Sequence, residues 1–309
     1  MREKLAHNLL HFGSKTTPRI SLELGFTGVE RRSYALELEP GYAVELLPVS
    51  ETVTHAANGE IVKEMLARHG REAGISHDEV RGTSKWIAGR MQQWRLYHLH
   101  DTGDSSQMRR AADLEDNCSL RADAGNLPAF LYLLQQRYPV SYSLLRRTVQ
   151  LVAPFFDDFV LRPSELNPDR RKLEWRHRES DAYFDAWALS DGTLRFIALA
   201  AIFMQPTELR PSVIVVDEPE LGLHPLAINL LGSMIRIAAV DSQILLATQS
   251  SHLLDEFTPE DVLVVEQSRH TTIFNRLDGA KLEIWLEDYS LGELWEKNEF
   301  GGRPGSCRD

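Results

Sequence analysis

The chain has 309 residues, of which 43% are hydrophobic and 26% are charged, as in ordinary globular proteins. No apolar run reaches membrane-spanning length and no signal peptide opens the sequence, so we expect a cytoplasmic protein without membrane contact. The net charge of −11 argues against strong, non-specific nucleic-acid binding by the whole surface. Local basic patches stay open at three places: Arg109–Arg110, Arg146–Arg147 and residues 170–172. The two cysteines, Cys118 and Cys307, lack the spacing of a metal site.

The first hundred residues combine predicted strands and predicted helices. Alternating β-forming residues at 20–26, 33–38 and 42–49 predict an antiparallel sheet. Residues 61–73 and residues 85–97 each carry a pattern typical of a helix. His98 and His100 follow, two residues apart, but no further ligand lies near them in the sequence, which therefore predicts no metal site there.

The middle of the chain is predicted to be helical. The pattern runs from residue 127 to residue 156, and Pro139 divides it into two helices because proline removes a backbone donor. Near the end of the chain, residues 262–266 and residues 271–276 predict a hairpin. We find no internal repeat, low-complexity stretch or long linker in the sequence.

Two carboxylates follow a short apolar run late in the chain. Residues 213–216 are Val-Ile-Val-Val, and Asp217 and Glu218 come directly after them. A continuous apolar run bounded by turn residues is typical of a strand buried on both faces of a parallel sheet. Open α/β sheets bind their ligands at the carboxyl ends of such strands, so the two acids are candidate functional residues.

Segments on either side of this strand complete the pattern. Residues 189–195, Leu-Ser-Asp-Gly-Thr-Leu-Arg, predict a capped helix start, where backbone N–H groups bind anions. Downstream, residues 225–240 predict a helix with proline in its first turn, and residues 243–247 predict a second short strand. Strand, helix and strand at this spacing predict a βαβ unit with parallel strands.

These motifs together resemble the signature, Walker B, D-loop and switch segments of ABC-class ATPases. The resemblance covers about residues 117–304 and is closest to the RecF/SMC-like branch and to the predicted stand-alone AAA-type ATPases of bacteria. The turn at residues 220–225, the helix opening at 123–128 and the tails at 291–295 and 301–304 support it. The resemblance implies an α/β fold: a P-loop NTPase (ABC ATPase-like) core with an antiparallel β subdomain and a helical subdomain.

The same resemblance implies three segments of the chain and a role for several residues. Residues 1–103 would be the remnant of an N-terminal ATPase lobe, residues 104–188 a helical lobe, and residues 189–309 the C-terminal ATPase core. ATP and Mg²⁺ are the implied cofactors: Asp217 would hold Mg²⁺ through water, and Glu218 would polarise the attacking water. The other implied nucleotide-binding residues lie in the signature segment and the D-loop: Ser190, Asp191, Gly192, Arg195, Gly222 and His224.

Two positions depart from the family pattern or are hard to place. Gln249 occupies the switch position, where the family often has histidine; glutamine donates a hydrogen bond to phosphate but carries no charge. His252 lies nearby and is expected to belong to a helix start. Gln107 is a weak candidate for the glutamine that senses the γ-phosphate.

The sequence contains no phosphate-cradling G-x-x-x-x-G-K-[ST] loop. Residues 13–16 read Gly-Ser-Lys-Thr, but Thr17-Pro18 and a predicted strand follow them instead of a helix, so we expect a plain loop. Three explanations stay open: a start assigned too far downstream, a truncated gene, or a nucleotide-deficient relative. We expect a missing N-terminal piece, which would leave apolar surface and a sheet edge exposed.

With the missing N-terminal piece present, the sequence predicts an ATPase that binds and hydrolyses ATP as an ATP-dependent homodimer. Two subunits would enclose two ATP molecules head to tail, each signature segment facing the nucleotide of the other subunit. Nucleic acid or a partner nuclease is a further expected partner class, and DNA repair and defence are the expected settings. The alternative is a catalytically deficient interaction or regulatory protein on the same fold.

Overall fold

The computed structural model describes residues 9–28, 31–41, 45–57, 60–66, 71–77, 79–163, 167–268 and 271–302. The chain divides into two compact units, Met1–Gln93 and Trp94–Asp309. None of the helices in these described ranges is long and apolar enough to cross a membrane. The division into three segments stays a prediction.

The first unit is built on an antiparallel sheet of four strands in sequential order. Its strands are β1 (Ile20–Phe26), β2 (Arg32–Pro40), β3 (Leu46–Ala57) and β4 (Glu60–Met65). The predicted antiparallel sheet is therefore present, although residues 42–44 of its predicted third strand lie outside the described residues. Residues 14–19, which contain most of the Gly-Ser-Lys-Thr string, form turns and loop before β1, as predicted.

The helix predicted at residues 61–73 is wrong, because its first part is strand β4. Thr52 pairs with Met65 and Ala57 with Glu60, so β4 runs antiparallel to β3. The sequence signal that we missed is Asn58-Gly59, a dipeptide that favours two-residue hairpin turns between β-forming runs. Residues 67–70 lie outside the described residues.

A small core and a buried carboxylate hold the first unit together. Helix α1 (Gly82–Gln92) contributes Ile87 to a cluster with Tyr34, Val53 and Ile75. Glu51, only 4% exposed, accepts hydrogen bonds from the Tyr34 hydroxyl at 2.9 Å and from the Ile75 N–H at 2.8 Å. Burial, together with the hydrogen bond to Glu51, raises the pKa of Tyr34.

The second unit opens with a strand where the sequence predicts a continuing helix. Strand β5 (Trp94–Tyr97) pairs in parallel with a later strand, so the prediction of helix through residue 97 is wrong beyond Gln92. Strand β6 (Ala112–Asp113) follows, and then helices α2 (Leu127–Arg137) and α3 (Pro139–Val152). Pro139 begins α3, which confirms that it divides the two helices.

Short antiparallel strands lie between these helices and the signature segment. They are β7 (Phe156–Val160), β8 (Arg170–Arg171), β9 (Glu174–His177) and β10 (Tyr183–Asp185). Strands β7, β9 and β10 form one small sheet, and β6 pairs with β8. Trp175 on β9 is 4% exposed and stacks on Phe184 of β10, so an aromatic cluster fixes this sheet to the main core.

A three-stranded parallel sheet lies at the centre of the second unit. Helix α4 (Asp191–Met204) leads to strand β11 (Val213–Asp217), and helix α5 (Pro225–Ala238) leads to strand β12 (Gln243–Ala247). The strand order is β12-β11-β5, and both pairings of β11 are parallel. The predicted βαβ unit is therefore confirmed, with the expected strand boundaries.

Helix α4 and strand β12 differ in how deeply they are buried. Ten consecutive residues of α4, from Leu194 to Phe203, are buried, so this helix is covered almost all round. Strand β12 lies at the edge of the sheet among the described residues, and Leu245 in its middle is 43% exposed. The apolar sheet is thus well covered on the β11 side and open beside β12.

The chain ends with a hairpin and two helices. Helix α6 (Ser251–Leu254) is followed by β13 (Leu263–Ser268), β14 (Thr271–Arg276), α7 (Gly279–Leu286) and α8 (Leu291–Lys297). The predicted hairpin at residues 262–276 is confirmed by the antiparallel pairing of β13 with β14. Trp295 on α8 stacks on Phe300, with ring centroids 6.0 Å apart.

Tyr97 makes the second unit sensitive to alkaline pH. The side chain is 1% exposed, and burial raises its pKa to about 12. The folded protein holds this proton more tightly than the unfolded chain. The stability that Tyr97 contributes is therefore fully present below pH 10 and is lost as the pH rises through 12. We expect Tyr97 to cost about 1 kcal/mol of unfolding free energy at pH 11 relative to pH 8.

Urea unfolding at pH 8 and pH 11 measures this cost. We expect Tyr97→Phe to remove about that much of the alkaline loss, while Tyr183→Phe, at a half-exposed position, leaves the loss as in the wild type. An equal alkaline loss in Tyr97→Phe and the wild type would contradict the assignment to Tyr97.

Candidate functional site

The carboxyl ends of three parallel strands bring the candidate residues together. Val216 of β11 pairs with Tyr97 of β5, and Asp217 pairs with Ala247 of β12. Val216 is fully buried, whereas the Asp217 side chain is 45% exposed, so the carboxylate emerges at the edge of the core. The segments that begin at His98, Glu218 and Thr248 therefore start at the same edge of the sheet, as the sequence predicts for Asp217 and Glu218.

Glu218 has a strained backbone. Its φ is +42°, in the left-handed region that residues other than glycine rarely adopt. The backbone N–H of Glu218 donates to the carbonyl of Ala247 at 2.8 Å, which ties this residue to the end of β12. Strain of this kind costs about 1–3 kcal/mol and is retained mostly at functional positions, so it supports a role for Glu218.

The turn after Glu218 is linked to the segment that carries Gln249. The Glu220 carboxylate accepts a hydrogen bond of 2.5 Å from the Thr248 hydroxyl. The same hydroxyl oxygen accepts the Ser250 N–H at 3.0 Å. Gln249 lies between these two residues and is exposed, so its side chain is accessible beside the end of β12.

The signature segment begins helix α4 as predicted. Ser190 caps the helix: its hydroxyl oxygen accepts the Thr193 N–H at 3.2 Å. Asp191 is exposed in the first turn and accepts a hydrogen bond of 2.7 Å from Arg109. The first-turn N–H groups of such a helix favour an anion, which is the property that the sequence interpretation requires of this segment.

Arg109 belongs to this framework and does not form a surface patch. Its side chain is 5% exposed and donates to the carbonyls of Thr102 at 2.8 Å and of Ala186. In the second candidate patch Arg146 pairs with Asp158 at 2.9 Å, and in the third Arg171 is 3% exposed. One arginine of each candidate basic patch is therefore engaged within the chain, which weakens all three as patches.

Arg195 connects three segments of the site through its guanidinium group. The side chain donates to the carbonyls of Leu99 at 3.0 Å and His100 at 3.2 Å, and to the carbonyl of Leu221. Arg195 is 5% exposed, and burial lowers its pKa while Asp191 raises it. The sequence interpretation makes Arg195 a nucleotide contact; the geometry instead favours a role in holding the end of β5 and the D-loop turn in place.

The two predicted glycines fit closely against one another. Gly222 has φ +74°, and its carbonyl oxygen lies where a side chain on Gly192 would begin. Because that oxygen is a backbone atom, it cannot turn away from an added methyl group. The start of α4 therefore contacts the D-loop turn of its own chain, which explains both glycines without a bound ligand.

We expect Gly192→Ala to lower the free energy of unfolding by about 2 kcal/mol, as overpacking of a tight contact does. Thermal melting of the variant measures this loss. Gly103→Ala is the matched control, since the nearest atom to its added methyl group is 3.9 Å away. Equal melting temperatures of the two variants would contradict the close packing of Gly192 on Gly222.

The remaining predicted residues lie in less specific positions. His224 caps α5: its Nδ1 accepts the Leu226 N–H at 3.3 Å. His252 lies in the short helix α6, as expected. Gln107 lies in a turn of 3₁₀ helix, and its side chain lies beside Gly125. The positions fit structural roles, and direct nucleotide contact by His224 or Gln107 stays a prediction.

The structure adds two histidines that the sequence interpretation set aside. His98 and His100 lie beside Asp217, and one ligand atom from each of the three residues lies within 4.8 Å of the other two. The His100 Nε2 atom is 3.4 Å from the Asp217 Oδ2 atom. Sequence spacing could not reveal this group, because Asp217 comes from a strand much later in the chain.

The donor atoms at this edge fit a divalent cation. Asp217 offers a partly exposed carboxylate at the end of a parallel strand, where water completes the shell of Mg²⁺ in many phosphate-binding sites. The start of α4 fits an anion such as a phosphate. ATP and Mg²⁺, when bound, would supply the phosphoanhydride bond and the charge that screens its oxygens.

The chain is similar to known proteins in sequence and in structure. A family described as "AAA domain, putative AbiEii toxin, Type IV TA system" matches residues 62–255. The crystal structure of the SmcHead bound to the C-winged helix domain of ScpA is 13% identical, with a TM-score of 0.55, and the match covers 91% of this chain and 82% of that chain. The SMC head domain from Thermotoga maritima is 11% identical, with a TM-score of 0.38, over 81% of this chain and 75% of that chain. A search of the curated proteins found no match.

The family match covers more than half of the chain, and the structural match to the SmcHead extends over nearly all of it. The mixed α/β architecture, with its parallel sheet and signature helix, is that of an SMC-like ATPase head. The chain therefore belongs to the AAA-domain family described as putative AbiEii toxin, Type IV TA system, and has the fold of ABC/SMC-like ATPases.

Proposed function

We propose that this protein binds ATP with Mg²⁺ and hydrolyses it as an ABC-type ATPase in a head-to-tail homodimer. The observation that carries the proposal is the pair of adjacent carboxylates at the end of β11, the second of them on a strained backbone. Catalysis of phosphoryl transfer depends on positioning and electrostatics, and this edge of the sheet supplies two adjacent carboxylates for a cation and an attacking water.

Each residue has a separate part in this proposal. Asp217 holds the cation through water, and Glu218 orients the attacking water and accepts its proton as general base. Ser190 and Gly192 at the start of α4 present the signature segment to the nucleotide of the other subunit. Gln249, exposed beside β12, donates a hydrogen bond to the γ-phosphate.

A second candidate function is an interaction or regulatory protein without catalysis. The observation that favours it is the lack of a G-x-x-x-x-G-K-[ST] loop in the sequence. Ser190 and His224 cap their own helices, and Gly192 packs on Gly222, so these residues also serve the fold alone. Retention of Asp217 together with Glu218 argues against this candidate.

Equilibrium binding and hydrolysis of Mg-ATP by the protein purified from its own host separate the two candidates. The ATPase proposal requires saturable ATP binding and steady release of phosphate. If a protein that melts cooperatively neither binds ATP nor releases phosphate, the interaction protein becomes the favoured candidate. ATP binding without phosphate release would support the proposed nucleotide site and contradict the proposed hydrolysis.

We also propose nucleic acid or a nuclease as a partner of the assembled protein, in DNA repair or defence. The structurally similar SmcHead was solved with a protein partner, the C-winged helix domain of ScpA. Filter binding of duplex DNA over a salt series tests the nucleic-acid part, because phosphate contacts make retention fall steeply with salt. With a net charge of −11, weak or absent retention would leave a protein partner as the proposal.

A further inference from the structure

His98, His100 and Asp217 converge because of the parallel register between β5 and β11. Val216 pairs with Tyr97, so the residues that follow, Asp217 and His98, emerge side by side at the carboxyl ends of their strands. Both preceding residues are buried and both emerging side chains reach solvent, as alternation along a strand requires. Two distant parts of the sequence thus meet at one point.

Hydrogen bonds to its backbone hold the segment that carries the two histidines. The His98 N–H donates to the Ala122 carbonyl at 2.8 Å, and Leu99 between the histidines is 3% exposed. Arg195 donates to the carbonyls of Leu99 and His100, at 3.0 Å and 3.2 Å. These contacts use backbone atoms, and both imidazole rings are exposed to solvent. The segment that carries the rings is therefore fixed before any ion binds.

The spacing of the ligand atoms suits a single ion. Metal–ligand bonds of about 2.0–2.2 Å place neighbouring ligand atoms about 3.0–3.5 Å apart. The 3.4 Å between His100 Nε2 and Asp217 Oδ2 lies in this range, and all three ligand atoms lie within 4.8 Å of one another. The exposed His98 ring supplies the third ligand atom.

The kind of ligand decides which ion is preferred. Mg²⁺ takes oxygen ligands and keeps several waters, whereas imidazole suits first-row transition metals such as Zn²⁺ and Co²⁺. Two imidazoles with one carboxylate also form the ligand set of many Zn²⁺ sites that keep a position open for water or substrate. The open positions here face solvent, since the His100 and Asp217 side chains are 44% and 45% exposed.

We propose that His98, His100 and Asp217 bind one divalent transition metal ion of the Zn²⁺ and Co²⁺ class in preference to Mg²⁺. The inference rests on the proposed function through Asp217, its proposed cation ligand, and replaces Mg²⁺ there by a transition metal ion. It does not require nucleotide, so the metal site and the ATPase can fail independently of each other.

Titration of the nucleotide-free protein with Co²⁺ tests the proposal, since the visible absorption of Co²⁺ reports nitrogen and oxygen ligands and a small coordination number. We expect one Co²⁺ per chain with this absorption, and displacement by one equivalent of Zn²⁺. His98→Ala and His100→Ala each weaken binding at least about tenfold, because each removes one of three protein ligands. His252→Ala, at an exposed histidine outside the group, is the matched control and binds as the wild type does.

Two results would overturn the proposal. Co²⁺ binding that is unchanged in His98→Ala and His100→Ala would place the ion elsewhere and leave only the contact of His100 with Asp217. Displacement of Co²⁺ by an equimolar amount of Mg²⁺ would reject the preference for a transition metal. Both variants change exposed side chains, so their melting temperatures should equal that of the wild type and keep the comparison valid.

Discussion

We expect replacement of Glu218 by glutamine to lower the proposed ATP hydrolysis about 100- to 1,000-fold, which is the cost of losing a general base. The amide cannot accept the proton of the attacking water, although it has nearly the same size and can keep the backbone contact of Glu218 with Ala247. Steady-state phosphate release with the wild type and the variant measures the change. We expect the loss in kcat, with the KM for Mg-ATP nearly unchanged, because ground-state binding does not depend on this carboxylate.

Glu208→Gln is the matched control for this prediction. Glu208 is an exposed carboxylate of the same unit that lies outside the site, and its amide variant should hydrolyse ATP at the wild-type rate. Full activity of Glu218→Gln would remove Glu218 from the catalytic role. An equal loss in both variants would point to an effect of net charge and not of position.

Replacing Arg195 by methionine lowers the free energy of unfolding by about 3 kcal/mol. The side chains have similar lengths, but methionine leaves the carbonyls of Leu99, His100 and Leu221 without their donor. Hydrogen bonds to charged groups contribute about 1.5–3 kcal/mol each, and the relief of a buried charge offsets part of the sum. Chemical unfolding of the second unit, followed by near-UV circular dichroism, measures the loss.

Arg236→Met is the corresponding control at a more exposed arginine. Arg236 is 48% exposed and pairs with Glu256 at 2.9 Å, and such pairs contribute about 0–1 kcal/mol. An Arg195→Met variant that unfolds at the same denaturant concentration as Arg236→Met would contradict the role of Arg195 as the link between the three segments. A loss confined to Arg195→Met would support it.

The central βαβ unit could be predicted because its signals are local. Residues 213–216 are a continuous apolar run, and the strand buried on both faces that this run indicates is present as β11. Strands β4 and β5 were predicted as helix, since their short apolar patterns fit either period. Pairing with β3 and with β11 decides both cases, and pairing between strands far apart cannot be read from periodicity.

The residues of the candidate site also divide into those that the sequence could predict and those that it could not. Asp217 and Glu218 are neighbours in the sequence, so their common position at a strand end could be predicted. The meeting of Asp217 with His98 and His100 depends on the register of two strands that the sequence does not pair. The direction of Arg195 into the chain also depends on tertiary contacts, because a signature-like sequence is compatible with either an outward or an inward side chain.

The molar mass of Glu218→Gln at saturating Mg-ATP, measured by light scattering, tests the central claim most directly. A variant that retains ATP but cannot hydrolyse it should accumulate as the head-to-tail dimer, with twice the mass that it has without nucleotide. The wild type should return to the lower mass as ATP is consumed. A Glu218→Gln protein that stays monomeric with Mg-ATP would contradict the proposal that two copies of this chain enclose and hydrolyse ATP.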